Sequence, residues 1–85
     1  MTFAQWLLGQ MDRKDLTGEI AKVIKTKSEK MDISFERQLH HFQCGLGLSK
    51  EVQVELSTIY REYKSYCARM NLTHEPWAYE DWSGR

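Results

Sequence analysis

Ser49-Lys50-Glu51-Val52-Gln53-Val54-Glu55-Leu56-Ser57-Thr58-Ile59-Tyr60-Arg61-Glu62-Tyr63-Lys64-Ser65-Tyr66-Cys67-Ala68-Arg69-Met70-Asn71 is the stretch whose reading decides the fold. Val52, Leu56, Ile59, Tyr63, Cys67 and Met70 recur at the spacing of one helix face, while Glu51, Glu55, Arg61, Glu62 and Lys64 occupy the remainder. Ser49 is the natural N-cap, because its side-chain oxygen accepts an N–H that the first helical turn leaves unpaired. The pattern predicts a helix over 50–71, the spine of a small domain. Tyr60, Tyr63 and Tyr66 drift around such a helix and do not share one face. Tyr63 is the expected core member. Tyr60 or Tyr66 is expected to stay partly exposed, as an interface aromatic or as an ordinary surface tyrosine.

Working toward the N-terminus, Gly45 supplies a left-handed helix end after Phe35, Leu39 and Phe42, whose spacing predicts a helix opened by Asp32 or Ser34. The polar, lysine-rich segment from Thr26 to Met31 reads as the connector before it. Asp15 is the expected N-cap of a further helix carrying Leu16, Ile20, Ala21, Val23 and Ile24. Gly18 costs that helix about 1 kcal/mol relative to alanine, so its presence points to another element passing close by. Thr2 and Gln5 form a capping-box pair ahead of Phe3, Trp6 and Leu7. Beyond Asn71, a tail over 72–85 holds Pro76, which suits the first turn of a short helix, and an aromatic-acidic run. Its Trp77 and Trp82 are expected to fold back onto the core, leaving Tyr79, Glu80 and Asp81 facing outward as candidate protein-binding residues.

The whole is therefore read as an all-α bundle of four to five helices, a domain over 1–71 with the tail packed on it. Eighty-five residues leave room for one core, and 41% hydrophobic with 28% charged residues is ordinary globular usage rather than a disordered composition. Twelve basic and twelve acidic side chains cancel, so no global field draws the chain to nucleic acid or an anionic membrane. Two cysteines are too few for the disulfide framework of a small secreted domain, which points to a reducing cytoplasm. The first residues lack the basic leader and apolar run of a signal peptide, and no segment approaches a membrane span.

Phe3-Ala4-Gln5-Trp6-Leu7-Leu8, with Gln10, Asp12-Arg13, Asp15 and Gly18-Glu19-Ile20-Ala21, resembles the opening of the YozE-like family of small bacterial proteins. Leu56-Ser57-Thr58-Ile59-Tyr60-Arg61-Glu62-Tyr63-Lys64 is similar to that family's closing helix. The middle, Lys25 to Leu48, departs from the family pattern, and the tail after Asn71 is an addition to it. The resemblance implies a compact SAM-like helical fold of the kind that mediates protein contacts or binds nucleic acid, and it brings no catalytic residues.

His40 and Cys44 stand one helical turn apart, with His41 beside them, and Cys67 and His74 would have to converge on them from two other segments to complete a zinc site. The chain has neither a Cys-x-x-Cys pair nor a His-Glu-x-x-His helix, so the cysteines are read as small buried hydrophobes and no metal or cofactor is expected. A cysteine nucleophile needs a base within reach, and Cys67 lies on the apolar helix face. Gly45-Leu46-Gly47 lacks the lysine of a phosphate loop. Two binding readings remain. The first is a non-enzymatic adaptor or inhibitor that occupies another protein's surface, of the kind a phage or other mobile element encodes. The second is a nucleic-acid-binding module using Arg13, Lys14, Lys22, Lys25, Lys27 and Lys30, the most basic stretch of the chain.

Overall fold

A computed structural model describes residues 1–45, 47 and 49–77, and over these the chain forms four helices and no strand. They are α1 (Phe3–Leu8), α2 (Leu16–Met31), α3 (Phe35–Gln43) and α4 (Lys50–Arg69), an all-α small bundle with its longest helix last. Every start follows the sequence. Thr2 and Gln5 make both bonds of the capping box, and the side chains of Asp15, Ser34 and Ser49 accept from the backbone N–H three residues on. The expected choice between Asp32 and Ser34 at the start of α3 resolves to Ser34.

The core is aromatic at one end and aliphatic at the other. Phe3 and Tyr63 stack with ring centroids 5.2 Å apart, Tyr60 meets Phe3 edge-on at 5.3 Å, and Trp6 leans on Tyr63. Leu7, Ile24, Leu39, Phe42 and Leu56 continue it between the helices, all essentially sealed from solvent. The short α1 is thus the plug around which the three longer helices close. Its own six residues are too few to be helical alone, so packing of Phe3, Trp6 and Leu7 holds it.

One helix end differs from the expected connector. Residues 26–31 are not a linker, because α2 runs on to Met31. The reason is Ser28, 2% exposed, whose hydroxyl donates to the Lys25 carbonyl 2.8 Å away and leaves a smooth surface where α2 meets α3. Thr17, Ala21, Ile24 and Ser28 form that buried stripe. The helix then stops at Asp32, in the left-handed region at φ 56°, with the Ile33 N–H donating to Ser28 O at 3.0 Å and the Asp32 N–H to Glu29 O. Asn71, also at φ 56°, ends α4 by the same pair of bonds, from Leu72 to Cys67 and from Asn71 to Ala68. A Cβ in this region costs about 1–2 kcal/mol, partly offset in glycine by its larger unfolded-state entropy. Asp32→Gly is therefore expected to stabilise the domain by about 0.5–1 kcal/mol, read as a higher urea midpoint at unchanged slope. A lower midpoint would show that the aspartate does more than terminate the helix.

The segment after α4 returns across the aromatic end. Glu75 is gripped on three sides: its N–H donates to the Tyr63 hydroxyl at 2.6 Å, its carbonyl accepts from Tyr60 at 2.7 Å, and its Oε1 accepts from the Phe3 N–H at 3.2 Å. Trp77 follows, half-buried, its indole N–H donating to Gln43 O at 3.2 Å and its ring edge-on to Tyr60. Trp77 thus folds back as expected, whereas Trp82 lies outside the described residues.

Candidate functional site

Because α2 turns its small residues toward α3, its bulkier ones fall beside the contact. Leu16 and Val23, expected on the buried face, are 46% and 44% exposed. The loop before α2 is tied to the middle of α4: Arg13 donates to Glu62 Oε2 at 2.6 Å and Thr17 Oγ1 to Glu62 Oε1 at 3.5 Å. Further toward its N-terminus, α4 stands away from α2, leaving a groove of about 310 Å³. Leu16, Val23 and Val52 form its walls, with Phe42 and Leu56 beneath them and Glu19 and Lys27 at the edges. At Lys27 and Phe42 it meets a second hollow of about 440 Å³, lined by Lys30, Met31, Gln38, His41 and Gly47.

The two ends differ chemically. The first is walled by aliphatic carbon. The second carries two lysines and an imidazole, and at its base Gln38 is only 3% exposed with no hydrogen-bond partner for its Oε1 among the described residues. That oxygen is itself sealed from the hollow, so the chemical character of this end comes from its lysines and imidazole.

The basic candidates are not brought together. Arg13 is committed to Asp15 and Glu62, and hydrogen bonding from Glu62 first, then Asp15, holds its guanidinium above its ordinary pKa. At about 100° per residue, Lys22 and Lys25 flank the buried stripe of α2 on one side, and Lys27 and Lys30 on the other. Lys14 precedes the helix, and no ion pair engages these five lysines among the described residues.

Of the aromatic candidates, Tyr66 keeps an exposed part while Tyr60 is 8% exposed, its hydroxyl spent on Glu75 and its ring against Phe3 and Trp77. Tyr60 is therefore a core residue rather than a contact surface. Tyr79, Glu80 and Asp81 lie outside the described residues.

Burial raises the pKa of the Cys44 thiol, so it stays protonated at neutral pH, and Cys67 is fully buried. Among the described residues, the metal-ligand set that clusters is a different one from that weighed in the sequence: Glu36, His40 and Glu75, with ligand atoms within 4.8 Å of one another. His40 Nε2 lies 3.9 Å from Glu36 Oε1, and Glu75 already serves the Phe3 N–H.

Asp15 carries a pH dependence. Hydrogen bonding from Arg13, with help from the Gly18 N–H, holds its carboxyl below the usual carboxylate range. A folded-state pKa below the unfolded one adds stability that is complete above the unfolded pKa and is lost as pH falls through the folded pKa. Urea unfolding from pH 7 down to pH 2.5 should show this acid loss, and Asp15→Asn, which keeps a capping oxygen but no charge, should flatten it. An unchanged acid limb in that variant would remove the role assigned to the Arg13–Asp15 pair.

Comparison with protein-family models, curated proteins and solved structures finds no match. The residues missed in the sequence are Leu16, Val23 and Gln38. A signal for the first two was present: Thr17, Ala21 and Ser28 already make a full helix stripe of small residues, so two bulkier residues offset from it needed a separate destination.

Proposed function

We propose that this chain is a non-enzymatic binding module, an adaptor or inhibitor that holds another protein in the groove between α2 and α4. The observation that carries the reading is a concave aliphatic surface, with Leu16 and Val23 nearly half exposed beside Val52 and charged side chains confined to its edges. The resemblance of residues 3–21 and 56–64 to the YozE-like family implies a SAM-like fold that mediates protein contacts or binds nucleic acid, and so admits this reading and its competitor alike. The neutral chain and its protonated or buried thiols fit it as well.

The test is co-purification from the native host, comparing the natural chain with Val23→Asp. Because Val23 is exposed, the substitution should leave the melting temperature within a few degrees while weakening capture of the specific partner by at least about tenfold. A partner retained equally by both chains places the contact elsewhere.

Lysines without an ion pair among the described residues favour one competing reading, nucleic-acid binding through Lys14, Lys22, Lys25, Lys27 and Lys30. It predicts affinity for a labelled oligonucleotide that collapses between about 50 and 200 mM salt. Their placement on two flanks of α2 argues for weak, non-specific attraction at most.

A further inference from the structure

The groove has polarity, and we infer from it the kind of partner segment it takes: an amphipathic helix of another protein, its acidic first turn over Gln38, Lys27 and Lys30 and its apolar stripe along Leu16, Val23 and Val52. This rests on the protein-binding reading and gives it an occupant and a direction.

Two observations fix the choice. From Leu16 to Lys30 the groove follows α2 for about 21 Å, the length of a four-turn helix at 1.5 Å per residue. One end presents two lysines that are unpaired among the described residues, while Glu19 edges the other end, so the complementary charges on an occupant are negative first and positive last. A helix N-terminus meets the need of the basic end, because its first turn favours Asp and Glu side chains. Phosphate would satisfy the lysines and leave the aliphatic surface of Leu16, Val23 and Val52 uncovered, which disfavours a nucleic-acid backbone in this place.

The recognition mode sets the sequence of the occupant. Apolar anchors at i, i+3 or i+4, and i+7 should follow a start rich in Asp and Glu, with Lys or Arg toward the end near Glu19.

A displayed library of random 16-residue peptides, selected on the full chain, tests this without knowledge of the natural partner. The expected result is enrichment of that pattern. Affinity should be lost with Val23→Asp and fall about tenfold with the double change Lys27→Glu and Lys30→Glu, and restoring charge complementarity with lysines in the peptide's first turn should recover it. Circular dichroism and thermal melting of each variant confirm that exposed positions were changed without unfolding.

Enriched peptides that need Val23 but ignore the lysine reversal, or that carry their acidic residues at the other end, overturn the inference and leave the protein-binding reading standing. Absence of any enriched peptide, coupled with a native partner that still depends on Val23, has the same effect. Loss of Val23 dependence in both experiments removes both. A concentration-dependent dimer abolished by Val23→Asp would seat a second copy in the groove, and an oligonucleotide that competes there would seat nucleic acid. Either result overturns the inference.

Discussion

Gly18→Ala is expected to destabilise the domain by about 2–4 kcal/mol, although alanine is the better helix former by about 1 kcal/mol. A Cβ at this position would stand 2.1 Å from the Arg13 carbonyl oxygen, 2.8 Å from its carbon and 3.0 Å from its Cβ. The obstruction is main chain, which no rotamer change removes. Relief requires lifting the loop between α1 and α2, and that loop holds Arg13 against Glu62 and supplies the Asp15 cap to the Gly18 N–H. The steric cost therefore exceeds the propensity gain and spreads to the Arg13–Glu62 tie between the loop and the middle of α4. Gly9→Ala is the control: Gly9 sits at φ −71°, and an added Cβ would meet a single atom, Trp6 O, at 3.3 Å. Urea melts of the two variants should differ by more than 1.5 kcal/mol or so. Equal stabilities would show that the loop yields freely and that the close approach at Gly18 carries no energetic weight.

The close approach at Gly18 is legible in the sequence, and so are the caps, since both are local. A helix start needs one side chain and three following residues, all adjacent in sequence. The stripes of α1 and α4 are legible for a related reason: Phe3, Trp6 and Leu7, and Leu56, Ile59, Tyr63 and Cys67, each need one apolar neighbour and find it. Periodicity says less about α2, whose neighbours lie on only part of its circumference. The sequence marks Leu16, Val23 and Ile24 alike as apolar, yet Ile24 is fully buried and the other two stand at the groove, because α4 diverges from α2 beyond Glu62. That divergence is a three-body property of the bundle with no local signature. The polar character of residues 26–31 misleads in the opposite sense: Ser28 is polar, but its hydroxyl is satisfied within its own helix, so it packs as a small residue. The binding candidates in the second helix depend on facing as well as charge. Facing separates Lys22 and Lys25 from Lys27 and Lys30, and pairing withdraws Arg13.

Tyr63→Phe tests whether the C-terminal segment is held by packing or by one hydroxyl. The ring is completely buried, and its stacking on Phe3 is untouched by the substitution. What disappears is an oxygen that donates to Met1 O and accepts from the Glu75 N–H, both at 2.6 Å. Two part-buried backbone groups lose their partner, at a cost of about 1.5–3 kcal/mol, whereas Tyr60→Phe forfeits the bond to Glu75 O and should cost about 1 kcal/mol. The penalty should be partly local. With the Glu75 N–H released, the Phe3 N–H to Glu75 bond and the Trp77 indole bond to Gln43 both lose their geometry. Hydrogen exchange at the Trp77 indole should accelerate more than exchange along α4, a sub-global opening of residues 72–77 from the aromatic end. Alkaline titration adds a second readout. Burial raises the Tyr63 phenol above its ordinary pKa of 10.0, so the folded state resists its ionisation and loses stability as pH rises through the unfolded value. The phenylalanine variant lacks that contribution, and its alkaline limb should be correspondingly shallower. If indole exchange and the alkaline limb both match the natural chain, Trp77 and the stacked rings hold the segment without the hydroxyl, and Tyr63 is a packing residue alone.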